Sequence, residues 1–459
     1  MIKRNNYNIL YSLKIFKSIL ATFLDTFLVL YFFQLSDSNI LPIGIYKLVS
    51  VITIWLVIFL VRNICKSKQR INLLRIGIIL NFIYFFALII LKEKVVDYIY
   101  LVGVLYGLEE GFYYSVYNMI ESDGITNDLR QKFVGSTHAV NSILSILLPV
   151  LFGYIVLKSG FVNSLIIFII LIVIQIILSY LFDDVNLPKY NKVNLKKFKE
   201  IFDSDKKLGL IFKMRFCEGL VYSEGALTMI ISLFIIRVFS DSFSLGIFTS
   251  IFSIISAILG MLFVKTIKSE NYNKWIIYST ILTVITLIWM IFDCNAISII
   301  VFNFFQRISK GIINLINGKN IPNIANDEKI KNEYKVEYFL HIETALVLGR
   351  IVGSILFILM AFTNNNIILY IFIVFLIMWS YSSMRIQSEI DKIKRWLHFN
   401  FVIIFFFAFI IIFIPNIIIL NWFNCFITKY IVSIQIFWKS PIILSFFFFA
   451  KHFIFDKFN

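Results

Sequence analysis

Charge is scarce in this chain: Asp, Glu, Lys and Arg make up 15% of the 459 residues, against 59% hydrophobic. Soluble domains carry about 25% charged residues, so a soluble globular fold is excluded. Cysteine is rarer still. Cys65, Cys217, Cys294 and Cys425 lie far apart and form no Cys-x-x-Cys, which argues against a disulfide framework or a zinc site. The histidines are scattered, with no His-Glu-x-x-His metal motif. A glycine-rich nucleotide loop is also missing, which argues against ATP-driven work. No enzyme signature appears, and no cofactor or metal is expected. The charged, then apolar, N-terminus has no small-residue cleavage site, so its first apolar segment is expected to stay as a helix.

Long hydrophobic runs are what the chain has. A spanning helix needs about 20 apolar residues. Twelve such segments can be drawn: Leu10–Gln34, Ile40–Val61, Leu73–Leu91, Tyr98–Ile120, Phe133–Leu157, Phe161–Phe182, Leu208–Phe239, Leu245–Ile267, Trp275–Phe292, Ala296–Asn317, Tyr338–Phe362 and Ile367–Met384. The polar stretch Asp183–Lys207, broken by Pro188, divides them six and six. The expected fold is an all-α polytopic membrane protein of 12 transmembrane helices. It forms two six-helix bundles, 1–182 and 208–388, joined by a cytoplasmic linker, 183–207.

The two halves match at an offset of about 200 residues. Gly111, Pro149 and Gly153 correspond to Gly311, Gly349 and Gly353; Glu110, Tyr114 and Tyr117 correspond to Lys310, Asn314 and Asn317. An even number of segments before the linker makes this a parallel repeat, a plan used by secondary transporters with the solute site between the halves.

The net charge of +16 is not spread evenly. Lys3, Arg4, Lys14 and Lys17 precede or open the first segment. Arg62, Lys66, Lys68, Arg70 and Arg75 follow the second, and seven lysines crowd the linker. Further lysines follow the eighth and tenth segments, whereas the alternate loops offer little beyond Lys92, Lys94, Lys158 and Arg237. This is the positive-inside bias. It predicts a bacterial inner-membrane protein with a cytoplasmic N-terminus. The partner at the basic face is expected to be anionic lipid, not nucleic acid.

The hydrophobic tail, 389–459, is different in kind. No glycine occurs after Gly353, Asp456 is the sole acid beyond Asp391, and phenylalanine comes in blocks. Helix packing in lipid relies on small residues, so the tail is either two lipid-exposed extra helices or a readthrough product without selected structure.

Tyr106–Tyr154 carries a fourth helix, a loop with Asp128 and Arg130, and a fifth helix with Pro149 and Gly153. With the repeated Ser36-Asp37-Ser38 and Ser240-Asp241-Ser242, this resembles the major facilitator superfamily over residues 1 to about 388. The loop "RNICKSKQR" keeps the bases of that superfamily's Gly-x3-Asp-Arg-x-Gly-Arg-Arg motif but not its glycines or aspartate. The exporter motif Gly-Pro-x-x-Gly-Gly survives only in Leu148–Gly153. The resemblance implies alternating access, with helices one, four, seven and ten around a central cavity.

Ionisable groups at bilayer depth normally face a cavity or a partner. Asn303, Arg307, Lys310, Asn314 and Asn317 fall on one face of helix ten, and Glu110, Tyr114, Tyr117 and Glu121 on one face of helix four. By the resemblance, Glu110 and Lys310 face a common space, as a gate, as solute ligands, or as a structural ion pair. Glu109 points about 100° away from Glu110 and is expected to contact a neighbouring helix. The aromatic cluster Phe112, Tyr113, Tyr114 and Tyr117 is read as a stacking platform for an organic solute or as lipid- and core-facing packing. Asp25, with Ser18 and Thr22 on its face, is read as a proton carrier or as a hydrogen-bonded structural acid. Arg215 is placed to pair with Glu218, leaving Glu224 as the better pathway candidate in helix seven. Arg130, Pro149, Gly153, Glu343, Gly349, Arg350 and Gly353 are assigned to gating or packing, and His138 and His341 to solvated helix ends.

The function expected is secondary transport of a small organic solute by a monomer, with the proton as candidate coupling ion and efflux as the favoured direction. The rivals are a lipid or lysolipid flippase and a non-transporting membrane scaffold or sensor.

Overall fold

The structure, a computed structural model, describes residues 4–37, 39–65, 70–124, 127–182, 194–222, 271–293, 295–325, 334–363 and 368–391, with scattered residues at 227–258, 327 and 330. The described residues are helical or connecting, without a strand. Helix α1 runs through Arg4–Phe23, a π-helical turn at Leu24–Leu28, and Val29–Leu35. It is followed by α2 (Leu41–Cys65), α3 (Arg70–Leu91), α4 (Ile99–Gly124), α5 (Asn127–Ser159) and α6 (Phe161–Tyr180). Then come a short α7 (Leu195–Ser204), α8 (Lys206–Val221), α9 (Tyr272–Phe292), α10 (Ala296–Ala325), α11 (Lys335–Thr363) and α12 (Ile368–Asp391). Lipid offers the backbone no hydrogen bonds, so a spanning segment must satisfy its own, and helices do so.

Among the described residues, 7 helices are long and apolar enough to cross a bilayer: α1, α2, α3, α6, α9, α11 and α12. The chain is a multi-pass helical membrane protein. Long helices α4 and α10 instead hold charged and amide side chains inside the protein. The expected seventh segment is described from its start through Tyr222, the C-cap of α8, and only in part beyond; the eighth falls largely outside the described residues, and linker residues 183–193 and the tail beyond Asp391 lie outside them. The chain divides into a larger unit, Met1–Asn194 with Ile201–Lys394, and a smaller one, Leu195–Glu200 with Arg395–Asn459.

Small residues set the helix packing of the larger unit, as they must where lipid is as apolar as leucine. Gly103, Gly107 and Gly111 form a stripe on α4 that presses onto α2. A Cβ at Gly107 would lie 2.5 Å from the Ser50 carbonyl oxygen, and one at Gly111 2.7 Å from Val57. Helices α8 and α11 cross more tightly still. A Cβ at Gly219 would lie 2.0 Å from the Leu346 carbonyl oxygen, and one at Gly349 2.0 Å from that of Phe216. Helix α2 also packs on α11 through Gly44, next to Phe357 and Ile358, so the two halves of the sequence meet there. Pro149, inside α5, faces Gly246 from the second half.

Polar side chains add interhelical contacts. Thr280 donates to Ser380 at 2.9 Å, joining α9 to α12. Asn317 donates to Ser383 at 3.2 Å and Asn320 to Gln387 at 2.9 Å, joining α10 to α12. Local signals fix the helix ends. The Asp205 carboxylate accepts from the Lys207 amide at 2.9 Å and caps α8. Gly160, at φ 79°, turns the chain from α5 into α6.

Candidate functional site

Three ionisable side chains meet between α1 and α4. Lys17 reaches from α1 to both Glu109 and Glu110, its Nζ 2.7 Å from Glu110 Oε1 and also bonded to Glu109 Oε1. Their side chains are 6%, 1% and 9% exposed, so the group is shut away from solvent. Desolvating each ion costs several kcal/mol, recovered only with close pairing. The Tyr113 and Tyr114 rings lie 5.3 and 5.7 Å from the ammonium, within cation–π range.

A tyrosine trio borders this group. The Tyr46 and Tyr84 hydroxyls are 3.0 Å apart, and Tyr106 packs on both rings at 5.7 and 5.5 Å. Tyr84 lies within electrostatic reach of Glu109, Lys17 and Glu110, and Lys47 sits 5.6 Å from the Tyr106 ring.

Toward the start of α1 a second ionic layer joins Lys14 to Glu121 at 2.7 Å. Its ammonium also lies over Tyr117 and Phe133, at 5.8 and 5.2 Å. Tyr117 donates to the Leu10 carbonyl at 3.0 Å and Tyr113 to the Leu13 carbonyl at 3.4 Å. Tyr117, 2% exposed, therefore clamps α4 to α1, whereas Tyr114 is 42% exposed.

The expected Glu110–Lys310 pair does not form, because Lys17 takes both carboxylates. Glu109, expected to contact a neighbouring helix, does so through Lys17 of α1, the cation that Glu110 also holds. Lys17 itself looked like a flanking charge in the sequence. Its position inside the Leu10–Gln34 segment, opposite two adjacent acids, was the available signal.

The polar stripe of α10 splits by environment. Asn303 is buried and donates to the Ile299 carbonyl at 2.9 Å within its own helix. Asn317 is buried against Ser383 and Met214. Asn314 is exposed, and Arg307 and Lys310 are half-buried between them. The Lys310 ammonium is 5.6 Å from the Tyr222 ring. Asp25 is exposed and sits in the π-helical turn of α1. Such turns widen a helix by one residue and often mark functional positions.

Arg215 bonds to Glu218 at 3.0 Å, as its spacing suggested, and to Glu343 of α11 at 3.0 Å. Glu343 is therefore tied to α8, while Arg350, on the same helix as Glu343, is half-buried. Gly349 is at the α8–α11 crossing, and Gly153 and Gly353 are buried. His341 is not a solvated helix end: its ring packs on Phe202 and Phe212 at 4.3 and 4.8 Å. Glu224 and the side chains of Arg130 and His138 lie outside the described residues. Among the described residues no three metal-ligating side chains cluster.

No protein-family model matches the chain. It is 21% identical over 340 residues to an uncharacterised protein, YqgE, of Bacillus subtilis, covering 73% of this chain and 78% of that one. Solved structures of similar fold are membrane transporters. The nucleoside transporter NupG aligns with a TM-score of 0.59 and 13% identity, over 84% of this chain and 99% of that one. The human organic anion transporter MFSD10 gives 0.55 and 10% over 83% and 99%, and a bacterial metal transporter 0.53 and 13% over 84% and 100%. The chain has the fold of these transporters, in keeping with the major facilitator resemblance of its sequence.

Proposed function

We propose that this protein is a secondary active transporter of a small organic solute, working by alternating access between two six-helix halves, 1–182 and 208–388. The observation that carries this is the set of charged side chains held inside the helices. Lys17 of α1 holds Glu109 and Glu110 of α4, Arg215 of α8 holds Glu218 and Glu343, and Lys310 of α10 lies 5.6 Å from the Tyr222 ring. Intramembrane charges are costly and mark solute or ion paths. Tyr114, exposed beside Lys17, supplies an aromatic face to the same side of α4. Nucleosides and organic anions, the solutes named for two proteins of this fold, fit a path lined by tyrosines and by charges of both signs.

The test is ligand-induced stabilisation. A solute that binds the folded protein raises its unfolding temperature, the more so the further its concentration exceeds Kd. Purified protein is screened in detergent against nucleosides, organic anions, amino acids and cationic drugs, beside Lys310→Gln. The proposal expects at least one hit that Lys310→Gln weakens or abolishes. A panel without hits, from a well-folded protein, contradicts it and favours the scaffold.

A further inference from the structure

The Lys17 cluster holds one cation for two carboxylates, and all three groups are at least nine-tenths buried. Lys17 bonds Oε1 of both glutamates. The other oxygen of Glu109, Oε2, is buried and finds no hydrogen-bond partner among the described residues. A bare carboxylate oxygen away from water is among the most expensive polar groups a protein can bury. Among the described residues no second cation bonds this oxygen. From α3 comes the Tyr84 hydroxyl, which pairs with Tyr46 of α2 at 3.0 Å. The Lys47 ammonium of α2 lies 5.6 Å from the Tyr106 ring. From α4 come the rings of Tyr113 and Tyr114, which face the ammonium of Lys17.

We propose that Glu109 Oε2 is where the protein takes up its coupling cation, one proton or one sodium ion, with Lys17 left to Glu110 when Glu109 is occupied. This rests on the transporter reading above. For a proton, one O–H bond forms at Oε2, the proton comes from bulk water, and no other bond breaks. For sodium, Oε2 becomes one of its oxygen ligands. Occupied, the cluster is neutral, a Lys17–Glu110 pair beside a neutralised Glu109. Empty, it carries one negative charge, and Lys17 is shared as the structure shows. Lys17 is on α1 and both acids are on α4, so this exchange alters the contact between two helices.

Infrared difference spectroscopy of the full-length protein in lipid reads the site without any solute. Stepping the pH in potassium buffer is one arm; adding sodium against choline at fixed pH is the other. If the ligand is a proton, the wild type shows a pH-dependent carbonyl stretch of a protonated carboxyl. That signal is lost in Glu109→Gln and kept at a shifted frequency in Glu109→Asp. If the ligand is sodium, a carboxylate stretch shifts with sodium but not choline, and Glu109→Gln removes the shift. The inference is overturned if neither arm gives a signal that Glu109→Gln removes, or if Glu109→Asp is folded by its thermal transition yet silent. A silent Glu109 leaves solute binding, tested separately through Lys310, untouched.

Discussion

Removing Lys17 leaves two buried carboxylates with no cation between them. Breaking a buried pair this way costs about 3–5 kcal/mol, so Lys17→Met is expected to lower the unfolding temperature sharply. Glu109→Gln keeps one acid for one lysine and costs far less. The double variant Lys17→Met/Glu109→Gln recovers part of the lost stability, since one uncompensated charge is gone. Thermal unfolding of the four proteins in one detergent checks this; a Lys17→Met protein as stable as wild type would contradict the ion network. At this scale the sequence was half legible. Glu110 stood out as an acid in an apolar segment. Lys17 did not, because a lysine near the start of a membrane helix looks like a flanking charge until its partners on another helix are known. Tyr117 shared a helix face with Glu110, yet its hydroxyl is spent on the Leu10 carbonyl. Which member of a stripe faces a path and which faces a neighbour is decided by packing.

Helices were legible as elements; their crossings were only partly so. Gly349 was marked for close packing, and the structure puts it against the Phe216 carbonyl. Its spacing to Gly353 was the signal. The stripe of Gly103, Gly107 and Gly111 on α4 has the same small-x3-small pattern. The internal repeat misleads here, because Gly111 is buried against Val57 whereas Gly311 is exposed. Equivalent sequence positions therefore differ in cost. Gly349→Val is expected to destabilise by at least about 1–3 kcal/mol, the usual penalty of overpacking. Gly311→Ala is expected to be neutral or slightly stabilising, because alanine is the better helix former. Denaturation midpoints of both variants in mild detergent measure the difference; equal losses would mean that α8 and α11 do not cross as described. The π-helical turn at Leu24–Leu28 had no sequence signal. One extra residue in a helical turn changes neither composition nor hydrophobic pattern.

At the scale of the whole molecule, scarcity of charge and long apolar runs identify a multi-pass membrane protein, and the fold matches that of known transporters. The proposed division into six-helix halves rests on the linker and the charge bias, and the proposed mechanism depends on those halves moving against each other. In the proposed mechanism Asp25 and Lys310 belong to that motion, while the Lys17 cluster joins α1 to α4. The sequence could not separate these two ionic centres, because the pairing of Lys17 is a tertiary fact. The measurement that tests the account most directly is flux in proteoliposomes, using a solute found by thermal shift and an imposed proton or sodium gradient. The account predicts that the gradient drives the solute above equilibrium, and that Glu109→Gln abolishes this concentration while leaving solute exchange without a gradient. Lys310→Gln is predicted to impair both. Gradient-driven accumulation that survives Glu109→Gln, or a bound solute that never crosses the membrane, would contradict it.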